Sequence, residues 1–200
     1  MRVGFADLYD LVMRAAERGR LAAWRREIIG AAGGDVLEIA AGTGLNFSHY
    51  RAGTAVVATE PDIAMLDRAR SRARLARASI VLVAADAQQL PFRDRSVDTV
   101  TIALGLCTIP SPTKALGEVH RVLRSGGLAR LLEHVRLERP VAGRLQDLVT
   151  PAWRRIAGGC RLNERTVRTV ERAGFSIDGI QLHAGGLFVG IKASPLERAS

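Results

Sequence analysis

Chemistry is first suggested by a strand that ends in almost no side chains. Val36-Leu37-Glu38-Ile39 is an apolar run around one acid, and it passes into Ala40-Ala41-Gly42-Thr43-Gly44. A second apolar run, Ala55-Val56-Val57-Ala58-Thr59, ends in Glu60, about 20 residues further on. Small turn residues let backbone N–H groups approach a ligand, and a carboxylate at the next strand's end can accept both hydroxyls of a ribose. The combination reads as a nucleoside-cofactor site. The stricter spacing G-x-G-x-x-G is absent, because Ala40 and Leu45 stand where glycine or another small residue would be needed. With no evident tyrosine–lysine pair, a nicotinamide dehydrogenase is disfavoured.

The other candidates are fewer. His134 closes the apolar run 128–135 on the face where a substrate would sit. It is the candidate general base, set against the commoner role of a packed or solvated histidine. Cys107 and Cys160 form neither a metal-ligand spacing nor a disulfide framework. No metal is therefore expected, and a reducing, cytoplasmic setting is. Taken alone, Asp86 would be a turn residue, and Asp98 reads as structural, starting a strand and capping turn donors.

These residues need a scaffold, and the hydrophobic periodicity supplies one. Apolar runs at 35–40, 55–60, 79–85, 97–104 and 128–135 alternate with helical patterns at 62–77 and 112–124. Pro61-Asp62 suits a helix start, and Gly126-Gly127 is expected to stop a helix just before the fifth strand. Continuous apolar strands between helices imply a parallel sheet covered on both faces. After a helix at 164–173, strands at 175–183 and 187–192 flank Gly185-Gly186 and must be antiparallel. The expected fold is α/β: a Rossmann-like, seven-stranded, mostly parallel sheet with an antiparallel C-terminal hairpin and helices on both faces.

Two segments stand outside that alternation. Residues 5–31 carry Phe5, Leu8 and Val12, then Leu21, Trp24 and Ile28, at helical spacing. They are read as a helical lid over 1–33 that packs on the following domain, ahead of a basic amphipathic segment lying on a membrane surface. Residues 136–163 hold Leu145, Leu148, Val149, Trp153 and Ile156 and are read as an inserted helical cap. No span is long and apolar enough for a transmembrane helix, and no secretory signal is visible.

At 200 residues the chain suits one domain that buries roughly 70% of its unfolded surface. The net charge of +9 is carried almost wholly by arginine, since Lys114 and Lys192 are the only lysines. A basic balance can mean nucleic acid. Here the arginines are scattered and aromatics make up only 4%, which favours a compositional bias. The densest group, Arg68, Arg70, Arg72, Arg74 and Arg77, is expected on the solvated side of one helix.

Five landmarks then stand in one order: Leu37 to Gly44; Glu60-Pro61; Ala85-Asp86-Ala87 leading to Leu90-Pro91-Phe92; Ser96-Val97-Asp98; and Arg121-Val122-Leu123-Arg124-Ser125-Gly126-Gly127. Together they resemble the class I S-adenosylmethionine-dependent methyltransferases, in the branch that includes quinone-biosynthesis C-methyltransferases. Leu104-Gly105-Leu106-Cys107-Thr108-Ile109, Leu132-Glu133-His134-Val135 and 153–163, with Gly158-Gly159-Cys160, look like the thiol-methylating methyltransferase-like proteins. Vertebrate members of that group carry an N-terminal membrane anchor, and none is read here, so lipid association is not carried over.

The resemblance implies roles. Gly42, Thr43 and Gly44 would line the turn beneath the cofactor, with Glu38 near its amino-acid end. Glu60, followed by Pro61, would take the ribose, Asp86 the adenine amino group, and the Ala87 backbone a ring nitrogen. Backbone around Ala103 would receive the methionine ammonium, and Tyr9 with Asp10 would close over that end, or form plain helix surface. Ala40 replaces the usual glycine at an expected cost of one methyl group, and Ser125 replaces a proline away from the chemistry. The expected function is methyl transfer from S-adenosylmethionine, releasing S-adenosylhomocysteine, to a small lipophilic acceptor, with thiol ahead of oxygen, carbon or nitrogen. Such a displacement needs no metal and gains most from alignment in a dry site. The alternatives are a non-catalytic S-adenosylmethionine-binding protein and a nucleic-acid methyltransferase. The latter is disfavoured because no Asn-Pro-Pro-aromatic signature for flipped bases occurs.

Overall fold

Strands and helices alternate as the periodicity demands in the computed structural model, which describes residues 19–197. The order is α1 (Arg20–Ile28), β1 (Asp35–Ile39), β2 (Ala55–Thr59), α2 (Ile63–Leu75), β3 (Ser79–Val83), β4 (Val97–Ala103), α3 (Pro112–Val122), β5 (Leu123–His134), α4 (Pro140–Ile156), α5 (Thr166–Arg172), β6 (Phe175–His183) and β7 (Phe188–Pro195). One seven-stranded sheet runs β3-β2-β1-β4-β5-β7-β6. β1 to β5 pair in parallel, and β7 lies antiparallel between β5 and β6. This is the expected Rossmann-like α/β architecture with its C-terminal hairpin.

Alternation along the strands divides the core. Leu37, Ile39, Val100, Ile102 and Leu131 face the layer built by α3, whereas Val36, Val56, Ala58 and Leu132 face the layer of α1 and Phe47. On α3, Ala115, Leu116, Val119 and Val122 are all fully buried, which is one helical face. Each Leu or Val buried in this way contributes about 1.5–3 kcal/mol. Helix starts follow capping chemistry: Asp62 accepts from the N–H groups of Ala64 and Met65, and Ser111 precedes Pro112 at the start of α3.

Several expectations shift. The Gly126-Gly127 pair does not separate α3 from the next strand: α3 ends at Val122 and β5 begins at Leu123. The pair instead takes up a register slip, between Val97↔Leu123 and Thr99↔Leu128. Gly126 has φ +75°, and a side chain on Gly127 would meet the carbonyl oxygens of Arg124 and Asp98; a bulge needs such residues. The arginines of α2 do not share one solvated side either. Arg70 pairs with Asp67 at the surface, but Arg72 reaches back to donate to the Thr43 carbonyl at 2.7 Å. Segment 136–163 yields one helix, α4, whose apolar residues Leu145, Leu148, Trp153 and Ile156 are exposed.

Phe5, Leu8, Tyr9, Asp10 and Val12 lie outside the described residues. No described helix is long and apolar enough to cross a membrane.

Candidate active site

The chain leaves β1 towards β2, while β4 continues to β5 on the other side, so the connections diverge between β1 and β4. In open α/β sheets this divergence opens a crevice at the carboxyl ends of the strands. A cleft lies there, lined by Ala40, Glu60, Pro61, Ala85, Asp86, Ala87, Thr108, Ile109 and Pro110. Four strand ends contribute to it, although the sequence spreads these residues over 71 positions (40 to 110).

Glu60 is held rather than free to rotate. Its Oε2 accepts from the Gly42 N–H at 3.0 Å and its Oε1 from the Asp62 N–H at 3.1 Å. Burial raises its pKa, while the two backbone donors pull the other way. Each carboxylate oxygen retains a further lone pair for a diol. Gly42 has φ +57°, and a side chain there would meet nothing within 4 Å, so its backbone borders open space. Gly44, at φ +82°, faces the Phe47 ring instead. Asp86 is exposed; its Oδ1 accepts from the Gln88 N–H at 2.8 Å, and the Gln88 carboxamide reaches on to the Ser111 N–H.

Beneath the turn lies a buried polar network. Glu38, 0% exposed, accepts from Asn46 Nδ2 at 2.8 Å and from the Tyr50 hydroxyl at 2.7 Å. Tyr50 also bonds Thr101 on β4, and Arg25 of α1 donates to Asn46. Burial pushes Glu38 up to about 7, with Tyr50, Asn46 and Arg25 opposing the shift. Burial, with the Glu38 charge, also drives Tyr50 well up. All the recorded side-chain bonds of Glu38 are thus to the protein, where they tie β1, the turn, α1 and β4 together.

Ala40 carries a cost that its methyl group alone does not account for. Its φ is +53°, a conformation costing an L-residue roughly 1–2 kcal/mol. Space for its side chain comes from Gly105, where an added Cβ would stand 2.6 Å from the Ala40 Cβ.

A second cluster gathers beyond β4. Cys107 follows β4, His134 ends β5, and Cys160 follows α4. The Cys107 thiol points at Cys160 Sγ at 3.6 Å, and His134 Nε2 lies 3.0 Å from the same sulfur. The hydrogen bond from Cys107 lowers the Cys160 pKa well below the thiol range, against burial and with help from His134. That same bond and burial push Cys107 up. Burial pulls His134 down, but its contact with Cys160 outweighs this and raises it. Underneath, fully buried Glu133 accepts the N–H groups of Gly105 and Leu106 on Oε1, both at 2.9 Å, and burial raises it to about 7. Arg161 adds a clamp by donating to the carbonyls of Leu106 and Ile109. A shallow groove of about 400 Å³, lined by Pro151, Arg154, Arg155 and Gly159, adjoins the cluster.

Of the residues singled out in the sequence, Ala40, Glu60, Pro61, Asp86 and Ala87 meet in the cleft, and Gly42 joins them through Glu60. Thr43 and Gly44 are buried in the turn, Glu38 lies under it, and Ala103 is buried at the end of β4. His134 stands apart, in the cysteine cluster. Asp98 accepts from the Asp35 N–H at 2.8 Å and pairs with Arg124, as a structural residue should. Sequence reasoning passed over Asn46, Tyr50, Glu133 and Arg161. The only available signal was Glu133, an acid inside the apolar run Leu131-Leu132-Glu133.

Known proteins resemble this chain over most of its length. The family described as "Methyltransferase domain" matches residues 37–131. The chain is 34% identical to thiol S-methyltransferase TMT1B of Rattus norvegicus over 145 residues, covering 70% of the chain and 59% of the relative. It is 32% identical to human thiol S-methyltransferase TMT1A over 179 residues, covering 87% and 73%. A demethylmenaquinone methyltransferase of Paenarthrobacter aurescens is 36% identical, covering 76% and 56%. The chain thus spans under three-fifths of the rat and Paenarthrobacter relatives. Among solved structures, an S-adenosylmethionine-dependent methyltransferase of Mesorhizobium loti superposes with TM-score 0.63 at 18% identity, covering 87% and 96%; that likeness concerns the fold.

Proposed function

The chain belongs to the class I S-adenosylmethionine-dependent methyltransferases, and from that premise we propose that it methylates a small, lipophilic acceptor, with a thiol ahead of oxygen, carbon or nitrogen. The observation that carries the reading is Glu60, fixed at the end of β2 by the Gly42 and Asp62 N–H groups and facing the cleft. The donor set fits the cofactor: Glu60 for the ribose hydroxyls, Asp86 and the Ala87 backbone for adenine, and backbone near Ala103 for the methionine end. When bound, S-adenosylmethionine supplies an electrophilic methyl group. The chain's own part is to hold that group in line with the acceptor and to keep water out, since effective molarities of about 10⁵ M or more come from alignment.

Two observations support the acceptor. The exposed apolar side chains of α4, read as a cap, offer contact to a lipophilic molecule. His134 and the cysteines, which the loop 107–110 joins to the cleft, form a polarisable site suited to sulfur, in keeping with the thiol S-methyltransferase names of the TMT1 relatives. His134 is the candidate base for the acceptor's proton.

Glu60→Ala removes a charged acceptor of hydrogen bonds worth about 1.5–3 kcal/mol, so S-adenosylmethionine should bind roughly 10- to 150-fold more weakly in calorimetry. Unchanged affinity would reject the ribose assignment. Screening alkyl thiols, phenols and quinols for a mass gain of one methyl group tests the acceptor class. Cofactor binding without any methylated product would favour a non-catalytic binding protein.

A further inference from the structure

The geometry of Cys107, His134 and Cys160 is that of a metal site, although their spacing in the chain does not suggest one. Sγ to Sγ is 3.6 Å, His134 Nε2 to Cys160 Sγ is 3.0 Å, and the three donor atoms all lie within 4.8 Å of one another. A tetrahedral zinc ion with Zn–S of about 2.3 Å and Zn–N of about 2.1 Å would place two sulfurs about 3.8 Å apart and sulfur and nitrogen about 3.6 Å apart. The sulfur pair already stands near that separation, the imidazole would withdraw from Cys160 by about 0.6 Å, and the third pair lies within the 4.8 Å that bounds the cluster.

A second, independent observation points to the same place. Glu133 Oε2 and His134 Nδ1 are buried without a hydrogen-bond partner. Folded proteins leave few such atoms, and a bound ion with its water is one account of them. Histidine ligands also characteristically use their second ring nitrogen towards a carboxylate, a carbonyl or water. The Glu133 carboxyl is fully buried on the strand residue next to His134, where a nearby dication would favour its ionised form.

We propose that Cys107, Cys160 and His134 bind one zinc ion through two thiolates and one imidazole, leaving its fourth position open to the acceptor's thiol. Two soft sulfurs with one imidazole select zinc over the oxygen-seeking cations, and three protein ligands are the number that keeps a zinc site open. The thiol clause rests on the function proposed above; the metal site itself does not. Cys107 directly precedes Thr108, Ile109 and Pro110, which line the cleft, so one loop joins the cluster to that crevice. The chemistry balances without an oxidant. With His134 serving as a ligand in place of the base role considered above, the thiol gives its proton to solvent on binding, and its sulfur supplies the electron pair of the new S–CH3 bond. The pair of the broken sulfonium C–S bond stays on the departing thioether, S-adenosylhomocysteine.

The test uses the full chain, reduced and stripped of metal, titrated with Co2+. One cobalt per chain is expected, with the intense visible bands of tetrahedral Co2+ and thiolate-to-metal charge transfer, both bleached by Zn2+. Cys107→Ser, Cys160→Ser and His134→Gln should each weaken binding by at least about 10–100-fold, and each serine should also reduce the charge-transfer band. Circular dichroism without metal reports whether the variants are folded. Benzyl mercaptan added to the cobalt form should increase the charge transfer. Cobalt binding no tighter than in a folded Cys107→Ser/Cys160→Ser double variant would overturn the site. So would a Cys107–Cys160 disulfide formed in thiol buffer with metal present. Cobalt binding without a response to benzyl mercaptan would remove the acceptor from the metal. A methylated thiol product would separately show whether the proposed function stands.

Discussion

The two halves of the candidate site, the cleft and the cysteine cluster, are built differently. At the ends of β1, β2 and β3, polar groups are held by near neighbours: Glu60 by the Asp62 N–H two residues away and by Gly42, and Asp86 by Gln88. At the ends of β4 and β5, bonds span 26 to 55 residues: Cys107 to Cys160, His134 to Cys160, Glu133 to Gly105, and Arg161 to Leu106. The first half is a local turn with an acid at its edge. The second exists only once three distant segments have packed. Substitution should therefore act on ligand binding in the first and on the fold itself in the second, and Glu60→Ala sets the reference: weak cofactor binding with little loss of stability.

The largest contrast should come from Glu133→Ala. It strands the N–H groups of Gly105 and Leu106 inside the protein, at roughly 3 kcal/mol in urea unfolding. Glu133→Gln keeps an acceptor for them and should lose less than half as much. If Glu133→Ala leaves stability unchanged, the second half is not held together by its buried acid.

A pH series sharpens the same point. Glu38 and Glu133 are raised by burial from 4.5 to about 7, so the folded state holds their protons longer than the unfolded state does. Their contribution is complete below pH 4.5 and is lost as pH rises through 7, because ionisation then costs more in the folded chain. Urea midpoints of the metal-free protein should fall across that window, and Glu133→Gln should flatten the slope. A midpoint that climbs across it would contradict the burial of both groups.

Tyr50→Phe removes the hydroxyl between Glu38 and Thr101 and should cost about 2 kcal/mol. It should also weaken cofactor binding, because the network supports the turn from below; normal binding in the destabilised variant would separate the two. The smallest effect is a coupling. Gly105→Ala should cost about 1–3 kcal/mol by overpacking against Ala40. In an Ala40→Gly background much of that cost should disappear, and additive losses in the double-mutant cycle would refute the contact.

The fold was legible because its signals are local. Runs such as 97–104 and 112–124 carry their own period, and Asp62 and Pro112 mark their own helices. The bulge at Gly126-Gly127 was not, since a glycine pair after a helix reads as a stop, and only the ladder between β4 and β5 shows the register slip. Arg72 was misassigned for a related reason: its partner, the Thr43 carbonyl, is 29 residues away.

The sequence by itself determined the strand–turn–acid unit at Val36 to Glu60, because a parallel ladder aligns neighbouring strand ends and so brings Gly42 beside Glu60. Only the tertiary structure decided that Cys107, His134 and Cys160 converge. Their separations of 27 and 26 residues follow no repeat, so no periodicity could announce the meeting. It arises where the end of β5 and the segments after β4 and α4 pack together, and there the mutual contacts of the three side chains, against or beside burial, set their protonation.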